Sequence, residues 1–185
     1  DLLDEIAALS PLVTVTSEPD GRTPSFAVRR AGTEVSVRFA GRPMGHEFAS
    51  LVLALVQVGG HHPRLDEETA AAVRGLEGGK FVTYMSLTCQ NCPTVVQALN
   101  TMSVINPRIR HVAVEGGTFQ EEVEARGIRA VPTVYKDGEL FGQGRMDVED
   151  FVARLDAGAG ARIAGSLDAK DPFDVLVVGG GPAGA

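Results

Sequence analysis

The 185-residue chain contains two cysteines, and they stand together as Cys89-Gln90-Asn91-Cys92. A pair at this spacing can open and close a disulfide by thiol exchange, supply half of a zinc site, or staple a short loop. Exchange needs the first sulfur as a thiolate. That state is favoured where a strand hands over to a helix, because unpaired amides and the positive end of the helix dipole meet there. The apolar run Phe81 to Ser86 predicts a strand before the motif, and Val95, Leu99 and Met102 predict a helix after it. Cys89 is then the nucleophile, and Cys92, one turn in and shielded, resolves the mixed disulfide. Pro93 falls in the first helical turn, where a missing amide costs least. Thr88 and Asn91 flank the sulfurs as hydrogen-bond candidates. A zinc site would have to recruit His61, His62 or His111, whose spacing fits no common finger pattern. A purely structural disulfide would close a loop too short to stabilise much. No metal ligands are therefore assigned, and redox exchange is the reading that the junction favours.

A second motif, Gly179-x-Gly181-x-x-Gly184, follows the apolar strand signal Asp174 to Val178. Glycines at these places permit a tight turn and a close approach of pyrophosphate to a helix N-terminus. With Pro182-Ala183 the segment resembles the FAD-binding start of a disulfide-reductase flavoprotein. Gly179, Gly181 and Gly184 are the candidate cofactor-binding residues. The sequence stops at Ala185, before any acidic residue that would hold a ribose, so this piece is expected to bind no FAD by itself.

Both motifs depend on a sheet to present them. Leu2, Leu3, Ile6 and Leu9 repeat at helical spacing, Ser10-Pro11 ends that helix, and Leu12 to Val15 predicts a short strand. Phe26 to Arg30 and Glu34 to Phe39 predict a hairpin turned at Ala31-Gly32, with Val35, Val37 and Phe39 on one face. A nearly all-apolar helix over Gly45 to Val58 follows, and Asp66 opens another that carries Ala70, Val73 and Leu76. From Lys80 the pattern restarts with the strand, the cysteines and their helix, then a strand over Ile109 to Val114. Thr118 and Glu121 form the pattern of a capping box for a short helix ending at Gly127. Val131-Pro132, a strand, an Asp137-Gly138 turn, a return strand and a helix begun by Asp147 complete the order β-α-β-α-β-β-α.

That order resembles the thioredoxin fold. Thr23-Pro24-Ser25-Phe26 stands before the first hairpin as Val131-Pro132-Thr133-Val134 stands before the second. The fold class is therefore α/β: tandem thioredoxin-like folds, the first degenerate, truncated at its N-terminus and without Cys, then a linker and the first strand of a Rossmann-like FAD domain. The expected boundaries are 1–62, a bridging helix over 63–79, the redox-active fold over 80–157, the linker over 158–172 and the FAD-domain start over 173–185. In thioredoxin-like folds the proline before the hairpin is cis and faces the dithiol, which makes Pro132 a site residue. The net charge of −7, with no clustered Lys and Arg, argues against a nucleic-acid surface. Phe48 to Val58 falls well short of the roughly 20 apolar residues that cross a bilayer.

Ser86-Leu87-Thr88-Cys89-Gln90-Asn91-Cys92-Pro93, Val95 to Asn100, Gly116-Gly117-Thr118-Phe119, Phe141 to Met146 and Gly45-His46-Glu47-Phe48 together resemble the F component of alkyl hydroperoxide reductase, a flavoprotein family, over nearly the whole chain. The resemblance implies electron flow from NADH through FAD and a second dithiol, both in the full-length protein, to Cys89-Cys92. From there electrons pass to the disulfide of a peroxiredoxin partner, the C component of the same reductase. It also implies docking with the chain's own flavoprotein domain and a homodimer at full length, while a single Cys pair in a chain without other cysteines suits a reducing compartment and gives the expectation of a cytoplasmic location. Gln90 departs from the His that the family often places between the cysteines. By resemblance the inactive first half lends Glu47 to the dithiol; read by itself, Glu47 is a solvated first-turn carboxylate facing a helix dipole. A free-standing thioredoxin- or glutaredoxin-like disulfide reductase is the alternative.

Overall fold

A computed structural model describes residues 2–156. In chain order these form α1 (Leu2–Leu9), β1 (Ser25–Arg29), β2 (Ser36–Ala40), a 3-10 turn (Gly45–Glu47), α2 (Phe48–Val58), α3 (Glu67–Gly75) and β3 (Gly79–Met85). The chain continues with α4 (Cys92–Ile105), β4 (Ile109–Glu115), α5 (Gln120–Ala125), β5 (Thr133–Lys136), β6 (Glu139–Gln143) and α6 (Val148–Leu155). The linker and the glycine motif, with Gly179, Gly181 and Gly184, lie outside the described residues.

The strands make one sheet in the order β1-β2-β4-β3-β5-β6. β3 and β4 pair in parallel over their full length, as a βαβ unit requires, and β5 and β6 close the sheet as an antiparallel hairpin. The hairpin turn places Asp137 and Gly138 at φ 51° and 96°, which matches the twist of the flanking strands. The first half joins the second edge to edge, because β2 runs parallel to β4 with Phe39 opposite Ala113. Alternation then puts Val35, Val37 and Phe39 in the core as expected.

The long helix α4 sits on this seam. Its Val95, Leu99 and Met102 pack with Phe81, Ile109 and Phe151 beneath α3 and α6. Its Cys92 and Val96 pack instead with Val37, Phe39, Leu51 and Ala54 from the first half. On the opposite face, Tyr84 and Val114 lie under Phe119, Val123 and Ile128 of the α5 region. Arg30 anchors the C-terminal end of α2, its guanidinium donating to the Val58 and Gln57 carbonyls at 2.7 and 2.9 Å.

Two local expectations are corrected. Leu12 to Val15 is not a strand: it pairs with no neighbour and Leu12 is 92% exposed, so apolar character without a partner ladder leaves it irregular. The capping box of Thr118 and Glu121 does not form either. α5 begins at Gln120 after Phe119 with no side-chain cap, because Thr118 gives its amide and hydroxyl to the Glu115 carboxylate at 2.6 Å each. Asp66 and Asp147 do cap α3 and α6, and Gly127 takes φ 63° after α5.

Candidate active site

Cys89 and Cys92 form a disulfide, with their Cα atoms 5.5 Å apart. Their placement follows from local structure. β3 ends at Met85, the Cys89 amide donates to the Ser86 carbonyl at 3.1 Å, and α4 starts at Cys92 with Pro93 in its first turn. The Cys92 amide, one of the donors that a helix start leaves without an intrahelical partner, points at Cys89 Sγ at 3.1 Å. Cys89 is half-buried, whereas Cys92 is fully buried in the seam between α4 and the first half. The two sulfurs therefore meet different surroundings: one touches solvent and an amide dipole, the other an apolar core.

The Val131-Pro132 bond is cis, as is Thr23-Pro24 before the first hairpin. The Val131 carbonyl oxygen stands 3.7 Å from Cys89 Sγ, so the segment ahead of β5 faces the dithiol. A shallow cavity of about 210 Å³ opens beside it, bordered by Met85, Ser86, Val123, Ile128 and Val131. Thr88 and Asn91 do not reach the sulfurs. Thr88 bonds to Ser86, and Asn91 makes no side-chain cap.

Glu47 is brought to the same seam. Gly45, at φ 56°, lies flat against the Leu87 backbone, and the His46 amide donates to the Leu87 carbonyl at 3.1 Å, two residues ahead of Cys89. This grip turns Glu47 inward. The reading of Glu47 as a solvated carboxylate is overturned: it is 0% exposed, and neither carboxyl oxygen has a hydrogen-bond partner. Burial pushes its pKa up to about 7. The nearly all-apolar helix signal hid this, since a carboxylate just before such a helix is usually a solvated cap.

His111 is not a free ligand candidate. It is buried, with Nε2 2.8 Å from the Thr83 hydroxyl and Nδ1 2.7 Å from Asn100 Oδ1, and burial lowers its pKa to about 3. Among the described residues no three His, Cys, Asp or Glu side chains gather as a metal cluster, and no helix is long and apolar enough to cross a membrane. Sequence reasoning missed the polar links across the seam. Gln97 Nε2 donates to Ser50 Oγ at 3.2 Å, and the Thr101 hydroxyl donates to Gln57 Oε1 at 3.1 Å. Their signal was a polar residue on the core face of an apolar helix. Arg22 and Glu122, which pair across the sheet ends, carried no such signal.

The thioredoxin domain family matches residues 81–156. Over its whole length the chain is 59% identical to the F component of alkyl hydroperoxide reductase from Pseudomonas aeruginosa, covering 36% of that protein. It is 53% identical, again over its whole length, to an NADH dehydrogenase of Ferdinandcohnia aciditolerans, covering 35% of it. A solved structure of the alkylhydroperoxide reductase AhpF from Enterococcus faecalis matches with a TM-score of 0.75 and 30% identity, over 83% of this chain and 80% of that one. The chain spans about a third of the length of the curated relatives it matches.

Proposed function

Since this chain belongs to the AhpF family of alkyl hydroperoxide reductase flavoproteins, we propose that its Cys89-Cys92 pair carries electrons from the flavoprotein part of the full-length protein to the disulfide of a peroxiredoxin partner. The observation that carries this reading is the asymmetry of the pair, a half-exposed Cys89 under the Cys92 amide beside a fully buried Cys92.

The steps follow from that asymmetry. In the reduced state the Cys89 thiolate, favoured by the amide and the helix dipole, attacks one partner sulfur. The partner S–S bond breaks and its other sulfur leaves as a thiolate that takes a proton. Cys92 gives its proton to a base and attacks Cys89 Sγ. That breaks the mixed disulfide, closes Cys89-Cys92 and releases the second partner thiol. Two electrons and two protons reach the partner. Glu47, buried on the turn that grips Leu87 and packs against α4, is the base we assign to Cys92. A carboxyl that titrates near 7 is matched to accepting and returning such a proton. Pro132 and the Val131 carbonyl form the wall against which the partner segment lies. FAD, when bound in the remainder of the full-length protein, would supply the two-electron relay from NADH that returns the pair to its dithiol state. We take Gly179, Gly181 and Gly184 to open that FAD-binding part.

In the same reading the first half is a degenerate, Cys-less copy of the second, supported by its own cis-proline and hairpin. It acts as the buried cover of Cys92. We assign 1–62, 63–79, 80–157, 158–172 and 173–185 as degenerate fold, bridge, redox fold, linker and flavoprotein start, and place the full-length homodimer in the cytoplasm. The test is Cys89→Ser in the full-length protein: NADH-dependent reduction of the peroxiredoxin disulfide is lost while flavin reduction by NADH persists. Unchanged peroxide turnover in that variant would refute the proposal.

A further inference from the structure

The shallow cavity beside the dithiol plays no part in the steps above. Its walls include Val123, Ile128, Val131 and Gly116, and neither cysteine borders it. Val131 links the two places. It joins the core cluster of Cys89 and Cys92 on the α4 face of the sheet and the cluster of Val123 and Ile128 on the α5 face. The one charged residue on the cavity's border, Arg129, lies exposed. A volume of about 210 Å³ equals about seven waters at roughly 30 Å³ each, room for one aliphatic side chain. Val131 also offers backbone groups. The β3–β5 ladder begins at Thr133, and among the described residues neither the amide nor the carbonyl of Val131 pairs with another backbone group. An extended partner segment can join there as one more strand. Successive side chains of a strand point to opposite faces. When the partner cysteine points to the α4 face to meet Cys89, the residue next to it points to the α5 face and into the cavity.

We infer that this cavity is the specificity pocket of the exchange: it takes the side chain adjoining the attacked cysteine and favours an aliphatic one, valine to leucine in size. The inference rests on the reading of Cys89 as the sulfur that attacks the partner. A charged side chain in the cavity would lose water against Val123, Ile128 and Val131, whereas methyl groups gain contact there. Side chains two places from the cysteine stay on the sulfur's own face, and the cavity is indifferent to them.

The test uses the full-length protein, reduced by NADH, and short peptides whose single cysteine is joined to 5-thio-2-nitrobenzoate. Cys89 attacks the peptide sulfur, the probe's S–S bond breaks and the coloured thiolate leaves. Cys92 then closes on Cys89 and frees the peptide thiol, so two electrons pass from the pair to the probe. The share of release that Cys89→Ser removes is the rate compared. Leucine in place of alanine next to the cysteine is tried on each side in turn. On one side it raises kcat/KM about tenfold, the lower end for an aliphatic contact, since this pocket is open to solvent. Aspartate at that place falls below alanine, and leucine two places away changes nothing. Gly116→Ala sets a methyl 3.3 Å from Val123 Cγ2 and narrows the cavity, so the leucine gain shrinks while the alanine peptide keeps its rate. Ile128→Ala, which removes part of the apolar wall, shrinks the gain as well. A disturbed fold would slow all peptides alike and leave the ratio standing. A Cys89-dependent rate indifferent to both neighbours, or a leucine preference that Gly116→Ala and Ile128→Ala leave unaltered, overturns the pocket and spares the carrier reading. Release that Cys89→Ser does not reduce overturns the carrier reading and the pocket with it.

Discussion

Burying one carboxyl and one imidazole gives the fold a distinctive dependence on pH. Glu47 titrates near 7 instead of its ordinary 4.5, so between these values the native state holds a proton that the unfolded chain lacks, and stability falls as pH rises. His111 titrates near 3 instead of 6.5, so between those values the unfolded chain holds the extra proton, and stability falls as pH drops. The windows overlap from 4.5 to 6.5, where the two effects cancel and urea midpoints are expected to be nearly flat. Glu47→Gln should leave a slope that rises with pH across this window and stabilise the protein at pH 8 by about 1–3 kcal/mol. His111→Gln should leave the opposite slope. Equal slopes in both variants would refute the pairing. The dithiol was legible in the sequence because two sulfurs and a strand-to-helix junction are local features. Glu47 was legible only by resemblance, since what buries it is the Leu87 backbone, about 40 positions away in the chain.

Secondary elements place these groups through a small number of backbone contacts. Gly45 is the most exacting of them: a Cβ there would stand 2.6 Å from the Leu87 carbonyl oxygen, at a φ that side chains disfavour. Gly45→Ala is expected to cost about 2 kcal/mol or more, by strain and overpacking together, and to lower the pH at which Glu47 titrates as the turn lifts from the core. Calorimetry and the infrared band of the protonated Glu47 carboxyl would measure the two effects. At α6 the Asp147 carboxylate accepts from the Asp150 amide at 3.0 Å, and Asp150 returns the bond at 3.1 Å. Asp147→Ala should cost about 1 kcal/mol with no change in disulfide exchange, because that helix lies away from the sulfurs. Asp66, Asp147 and Gly127 were readable because caps act within one turn of chain. The strand over Leu12 to Val15 and the box at Thr118 failed because a neighbour absent from the local pattern decided each: a missing ladder partner in one, Glu115 in the other.

Across the whole molecule, two halves of the chain share one sheet, and a second tie crosses at its ends. Arg22 meets the Glu122 carboxylate with Nε–Oε2 at 2.9 Å and Nη2–Oε1 at 2.6 Å, and these bonds hold Glu122 near a pKa of 2. Its contribution is present above the ordinary 4.5 and is lost as pH falls through that interval toward 2. Arg22→Ala should therefore flatten acid unfolding in that range and raise amide exchange along β1 and the loop before it, while sparing β3 and β4. The element order was readable from hydrophobic period. The β2–β4 ladder was not, because no local pattern says which edges meet.

That ladder has one further consequence. Two separate folds would each own a pair of open borders, four in all; zipped at β2 and β4, the described sheet keeps two, β1 and β6. Neither piece can peel away without baring a row of unpaired amides and carbonyls on both. The cover over Cys92 is thus held in place by the ladder itself, and in the proposed exchange every disulfide that trades with Cys89 arrives and departs by the same uncovered side.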